Sequence, residues 1–169
     1  MEIRYAQPDD IPGMALVYVK TWQAAYQGMI AQNFLDQLSP SRWEKSYQKS
    51  LGKEGRPKAA VLLEGGQVIG VSSFNNTRDE DLGERYGEII SLYVLPEYWR
   101  KGLGLQMLRW VTRELKNMGF SHCMLWTLED NARAQKAYER FGFQKDGQVK
   151  GFEIGGGEVT EIRYQMKLQ

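Results

Sequence analysis

One cysteine and one histidine stand among 169 residues. A single cysteine excludes an internal disulfide, and one His with one Cys cannot build a His/Cys metal cage. A Ser-His or Cys-His nucleophile system would have to run through His122, beside Cys123. Adjacent residues on a strand point to opposite faces, so that pair fails on geometry and both read as structural. Charge of one sign is lacking too: 22 Lys+Arg face 21 Asp+Glu, a net +1. Phosphate-backbone binding draws on a cationic surplus, so nucleic acid is not an expected partner. No uncharged apolar run approaches ~18 residues, so no membrane span is expected. Met1-Glu2-Ile3-Arg4-Tyr5 offers neither the basic start nor the apolar stretch of a secretory signal. The expectation is one soluble, cytoplasmic domain over residues 1–169. A chain of that length can bury about 70% of its unfolded surface without staples.

The pattern that remains is α/β. A short β-like start stops at Pro8, and Asp9 or Asp10 can cap a helix that tolerates Pro12 in its first turn. Ile11, Met14, Ala15, Tyr18, Val19, Trp22 and Ala25 recur at helical spacing. Two shorter helices follow, carrying Phe34, Leu35 and Leu38, then Trp43 and Tyr47. Residues 59–63 and 67–74 read as strands joined by a Gly65-Gly66 hairpin turn. Asn75 to Gly83, with Arg78-Asp79-Glu80-Asp81, reads as a solvated turn. Residues 88–95 are apolar almost throughout, as expected of a strand covered on both faces. A helix with Met107, Leu108, Val111 and Leu115 inward follows, then a strand at 123–127 and a helix bearing Ala134, Ala137, Tyr138 and Phe141. Further β pattern ends in a strand at 160–168. The predicted order is β-ααα-ββ-β-α-β-α-ββ: a mixed sheet opened by antiparallel hairpins, with two middle strands that each feed a helix.

The informative segment is that buried strand and the loop after it, Pro96-Glu97-Tyr98-Trp99-Arg100-Lys101-Gly102-Leu103-Gly104-Leu105. A glycine-rich turn entering a helix presents partnerless N–H groups and the positive end of the helix dipole, which suits an anion. Arg100 and Lys101 add charge at its mouth. The P-loop pattern G-x-x-x-x-G-K-[ST] is absent. A dinucleotide fingerprint fails because Met107 stands where its third glycine would be. A second segment runs Asn131, Ala134, Tyr138, Gly142-Phe143, one helix and one strand further on.

The two segments together resemble the GNAT superfamily of N-acetyltransferases. Gly102 and Gly104 match its [Q/R]-x-x-G-x-[G/A] pyrophosphate loop, and Trp99 departs from it at the Gln/Arg position. The second segment matches its N-x-x-A-x-x-x-Y-x-x-x-G-F pattern at every stated position, and the resemblance spans roughly residues 59–168. It implies a mostly antiparallel sheet with helices on both faces and a splayed pair of parallel strands. Acetyl-CoA would lie in the splay as co-substrate, with no metal. Leu92, Tyr93 and Val94 would meet the pantetheine, Arg100 through Leu105 (Arg100, Lys101, Gly102, Leu103, Gly104, Leu105) would cradle the pyrophosphate, and Asn131 would add a polar contact. Trp99 would cost one phosphate contact and leave the backbone cradle intact. Tyr138 maps to the general acid, Glu88 to a general base used by some members, and the Val94 region to an oxyanion-polarising N–H. Trp22 and Tyr26 are candidate contacts for the acceptor.

The acceptor is expected to be a primary amine of a small molecule or peptide, acetylated by direct attack in a ternary complex. The competing reading is an acyl-CoA-binding sensor without turnover; the presence of Tyr138 argues against it. Duller readings stay open residue by residue: Tyr138 as core, Glu88 facing solvent or pairing with Arg85, Asn131 as a helix cap. A homodimer formed through the final strand as a sheet edge is an open expectation.

Overall fold

Gly65 and Gly66 take φ of 57° and 83°, a left-handed pair that turns β2 (Lys58–Glu64) directly into β3 (Gln67–Asn76). In the computed structural model, which describes residues 1–169, five further strands extend this hairpin. They are β1 (Glu2–Tyr5), β4 (Tyr86–Val94), β5 (His122–Leu128), β6 (Gln144–Ile154) and β7 (Gly157–Lys167). The seven lie in the order β1-β2-β3-β4-β5-β7-β6, antiparallel throughout except for the pair β4–β5. The edges are β1 and β6. The final strand β7 is interior, bonded on both sides, so it offers no free edge for a second copy.

The helices are α1 (Ile11–Ala25), α2 (Gln32–Asp36), α3 (Pro40–Ser50), α4 (Leu103–Asn117) and α5 (Ala132–Phe141), and the expected element order holds throughout. Pro12 sits in the first turn of α1. Asp10 precedes that helix without capping it through its side chain. Its carboxylate instead accepts the Gln7 N–H at 2.7 Å and both Arg4 Nη atoms at 2.7 and 3.0 Å. Helices cover both faces of the sheet. Gly13 of α1 is pressed against Val68, and a Cβ on Gly70 would stand 2.8 Å from Met107 Sδ of α4. The inward face of α4 is the one expected, with Met107, Leu108, Val111 and Leu115 at 2% exposure or less. By contrast α5 has no buried residue, because its small-residue stripe faces a cleft and not the core.

The cleft begins at one irregularity. Ser73 pairs with Ser91 and Phe74 with Ile89, which leaves Ile90 without a partner. A bulge of this kind bends its strand and re-aims the side chains beyond it. The parallel ladder between β4 and β5 ends at Ile89–Leu125, yet β4 runs on to Val94 and β5 to Leu128. The two strands part there.

The turn at 75–83 is exposed or half-buried along its length, as its charges suggest, and it is also tied to the sheet. Arg163 of β7 is 5% exposed and gathers three carboxylates. Its Nε donates to Asp146 at 2.6 Å, its Nη1 to Asp79 at 2.9 Å, and Nη1 and Nη2 to Asp81 at 2.8 and 2.7 Å. Trp126 Nε1 also donates to Asp79, at 2.9 Å. The acidic run is folded down onto the sheet by a cation that lies 82 positions away from Asp81.

Candidate active site

Where β4 and β5 separate, a cavity of about 520 Å³ opens between α1, α4 and α5. That is within the size range of small-molecule sites. Its floor is the end of β4. Leu95 N–H donates to Ile69 O of β3 at 2.9 Å, so Tyr93 shares that orientation, and Leu92 and Val94 turn their backbone groups the other way, into the gap. The Val94 carbonyl is taken there by Trp99 Nε1 at 2.7 Å and Thr21 Oγ1 at 3.3 Å. Tyr93, whose main chain faces β3, reaches the cavity through its ring.

The loop after β4 is a run of free donors. From Arg100 to Leu105 no backbone N–H has a protein acceptor, and the first bond of α4 is Gln106 N–H to Gly102 O at 3.2 Å. Arg100 holds φ 64° and Gly102 φ 75°. A left-handed Arg costs about 1–3 kcal/mol, a strain found where backbone is shaped for a ligand. Gly102 is needed for its φ. Gly104 is not: it is helical, and an added Cβ would meet nothing nearer than Leu92 Cδ2 at 4.0 Å. A first-turn glycine with no steric reason inside the protein leaves room for something outside it.

Trp99 does more than withhold a contact. Its indole N–H ties the loop to the strand end, and the Arg133 guanidinium lies 3.5 Å over its ring. Arg133 has no carboxylate partner, and burial together with neighbouring Arg100 holds its pKa below the ordinary arginine value. An unpaired guanidinium beside six free N–H groups is a site for an anion. Lys136 and Arg140 line the same wall. The sequence reading missed these three, although their i, i+3, i+7 spacing on one helix face was the available signal. Lys101 is a correction in the other direction. Its side chain leaves the mouth and lies 4.7 Å over the Tyr98 ring, outside the cavity lining.

Asn131 caps α5, its Oδ1 accepting the Ala134 N–H at 3.2 Å, while its Nδ2 donates to nothing in the protein. Tyr138 packs edge-on against Phe143 at 5.9 Å, and its hydroxyl has no protein partner at the cavity wall. Burial pushes its phenol pKa up, with Tyr93 adding to the rise, so the hydroxyl keeps its proton at neutral pH. Trp22 and Tyr26 of α1 also line the cavity, edge to face at 5.0 Å, and Trp22 Nε1 is buried without a partner. Burial likewise raises the phenols of Tyr26 and Tyr93.

Glu88 is not brought into this lining. It is 1% exposed, and its carboxylate accepts the Arg78 backbone N–H at 3.0 Å, Nε at 3.2 Å and Nη2 at 2.6 Å. It neither faces solvent nor pairs with Arg85. The acid that does line the cavity is Glu161 of β7, which the sequence reading did not single out. His122 and Cys123 are structural, as expected: His122 stacks on Tyr86 at 4.8 Å, and Cys123 is fully buried.

Residues 22–143 match the model of the acetyltransferase (GNAT) family. The chain belongs to the GNAT family. It is 31% identical to a probable N-acetyltransferase of Mycobacterium tuberculosis, over 98% of this chain and 93% of that one. It is also 31% identical to an uncharacterized N-acetyltransferase of Bacillus subtilis, over 95% and 89% of the two chains. In fold it is similar to the PaiA N-acetyltransferase of Thermoplasma acidophilum, solved in complex with coenzyme A. The TM-score is 0.73 at 18% identity, with 98% of each chain covered. As a GNAT fold, the mixed sheet with one parallel pair agrees with the architecture that the sequence implied.

Proposed function

We propose that this GNAT protein is an acetyl-CoA-dependent N-acetyltransferase acting on a primary amine. The observation that carries the reading is one cavity lined both by a loop of free backbone N–H groups and by an unpartnered, protonated Tyr138 hydroxyl. The donors from Arg100 to Leu105, the α4 dipole and the Arg133 guanidinium suit a diphosphate. The open N–H of Leu92 and of Val94 and the Asn131 amide suit the polar arm that follows it. Acetyl-CoA supplies the acetyl group as an activated thioester.

The remaining chemistry falls to the protein. Val94 N–H, fixed by the sheet and turned into the gap, donates to the thioester carbonyl oxygen and stabilises the negative charge that develops there. Tyr138 Oη donates its proton to the departing sulfur. A thiolate whose parent pKa is about 8.5 leaves more readily when an acid within reach protonates it as the bond breaks. The acceptor must lose its proton before it attacks, since an ammonium of pKa about 10 has no lone pair to attack with. Glu88 is tied to Arg78 and lies outside the lining, so that proton passes to water and not directly to Glu88.

Replacing Tyr138 by Phe removes one oxygen and keeps the ring packing. The expected result is a kcat lower by about 10²-fold or more with acetyl-CoA affinity unchanged. Wild-type turnover in the variant rules out the acid role. Absence of amine-dependent thiol release from the wild type, with acetyl-CoA still bound, would favour a sensor module.

A further inference from the structure

The charged groups that line the cavity are segregated. Arg100, Arg133, Lys136 and Arg140 stand on the phosphate loop and α5, and one acid, Glu161, stands on β7. The strands on either side of β7 bring Trp126, Phe152 and Ile154 to the same lining, and α1 adds Trp22 and Tyr26. The Glu161 carboxylate accepts no hydrogen bond in the protein. Its one ionic contact is Lys150 Nζ at 3.6 Å, and that lysine is itself held 4.1 Å over the Trp126 ring. The Glu161 side chain keeps 22% exposure, against 2% for Glu88, whose oxygens are filled by Arg78. One carboxylate facing this cavity thus has its acceptor capacity open. Burial holds the Glu161 pKa above the ordinary carboxylate range, Glu88 adds to this, and Lys150 and Arg78 oppose it.

Resting on the acetyltransferase reading, we propose that Glu161 selects the acceptor. The substrate is a primary amine on an aromatic or aliphatic body, with no acid group beside the nitrogen. An ammonium entering this end finds a carboxylate with free lone pairs and the faces of indole and phenol rings, both favourable to a cation. A carboxylate on the carbon bearing the amine would be carried against Glu161, and like charges brought together away from water are strongly disfavoured. A small hydrophilic diamine would satisfy Glu161 but leave the aromatic wall facing unmatched polar groups.

The test uses the full chain saturated with coenzyme A and three probes: tryptamine, tryptophan, which adds only a carboxylate, and putrescine. Binding is read by titration calorimetry, and acetylation of each is read by thiol release. The wild type should bind tryptamine at least about tenfold more tightly than either of the others. Glu161→Gln should erase the preference over tryptophan, and Glu161→Lys should reverse it, with acetyl-CoA affinity and circular dichroism unchanged in Glu161→Gln. Equal or better binding of tryptophan by the wild type, an undiminished preference in Glu161→Gln, or stronger binding of putrescine overturns the proposal. So does binding of none of the three. These outcomes leave the acetyltransferase reading standing so long as acetyl-CoA binds. Failure of the wild type to bind acetyl-CoA would overturn that reading instead.

Discussion

Replacing Arg163 by Met tests the cluster that pins the 75–83 turn to the sheet. Methionine fills much of the space of the arginine stem and removes only the guanidinium, leaving Asp79, Asp81 and Asp146 directed at one uncharged position. Breaking a buried ion pair from one side costs about 3–5 kcal/mol, because the abandoned charges stay desolvated. Asp81 is half-exposed and rehydrates, so the loss should lie near the lower end, about 3 kcal/mol. In a domain of this length each kcal/mol moves Tm by about 2–4 °C, so a fall of roughly 6–12 °C at pH 7 is expected. Acid should narrow the difference. In the wild type the hydrogen bonds from Arg163 hold the Asp81 pKa below its ordinary value. That contribution is present above the unfolded value near 3.9 and is lost as pH falls through the lower folded value. In the variant, protonation relieves repulsion among the three acids. Thermal melts followed by circular dichroism at pH 7 and about pH 3, below the unfolded aspartate value, measure both effects. A fall of less than about 2 °C at pH 7, or a gap as wide at about pH 3 as at pH 7, would refute the account of this cluster as a mutually dependent unit.

Three other perturbations separate folding from binding. Gly104→Ala places a better helix former where nothing obstructs it, so Tm should hold or rise by a few degrees while the KM for acetyl-CoA climbs. A parallel loss of stability would count against the open cradle. Arg133→Ala should raise the KM for acetyl-CoA about tenfold, more at low salt than at high, and leave kcat at saturation near the wild-type value. Glu161→Gln should raise Tm at pH 7, because a carboxylate whose folded pKa is raised destabilises the fold wherever it is ionised. That gain should vanish as pH falls below the unfolded value, and a Tm that drops at pH 7 would contradict it.

The parts of the site that lie within one stretch of chain were legible. Gly102 and Gly104 open α4, and Asn131, Ala134 and Tyr138 stand on one helix, so local spacing alone locates them. The hairpin at Gly65-Gly66 and the whole element order were legible for the same reason. What sequence could not supply is register across the sheet. Glu161 meets the cavity because β7 inserts between β5 and β6, opposite Leu128 and Lys150, and no local pattern encodes that insertion. Glu88 keeps its place on β4 but is withdrawn from the cavity by Arg78, ten positions earlier, in a turn whose charges looked solvated. Val17 and Thr21 of α1 are buried although the apolar stripe was drawn one residue to the side, since α1 packs against β3, β4 and α3 at once.

The bulge at Ile90 connects these observations. A regular β4 would have continued its ladder with β5 and satisfied the backbone of both strands. One extra residue ends that pairing, frees the N–H groups of Leu92 and Val94, and turns the Tyr93 ring toward the α1 side, where it meets Tyr18 edge-on at 5.1 Å. Unpaired donors beside an apolar wall are costly for a protein alone. Helix dipole and unpaired guanidinium add positive potential around the same gap, an arrangement that suits an anionic ligand and not the protein alone. The cations of this lining stand on the loop and α5 and its one carboxylate on β7. On the acetyltransferase reading proposed above, that division would set the diphosphate against Arg100 and Arg133 and bring the amine in from the side of Glu161.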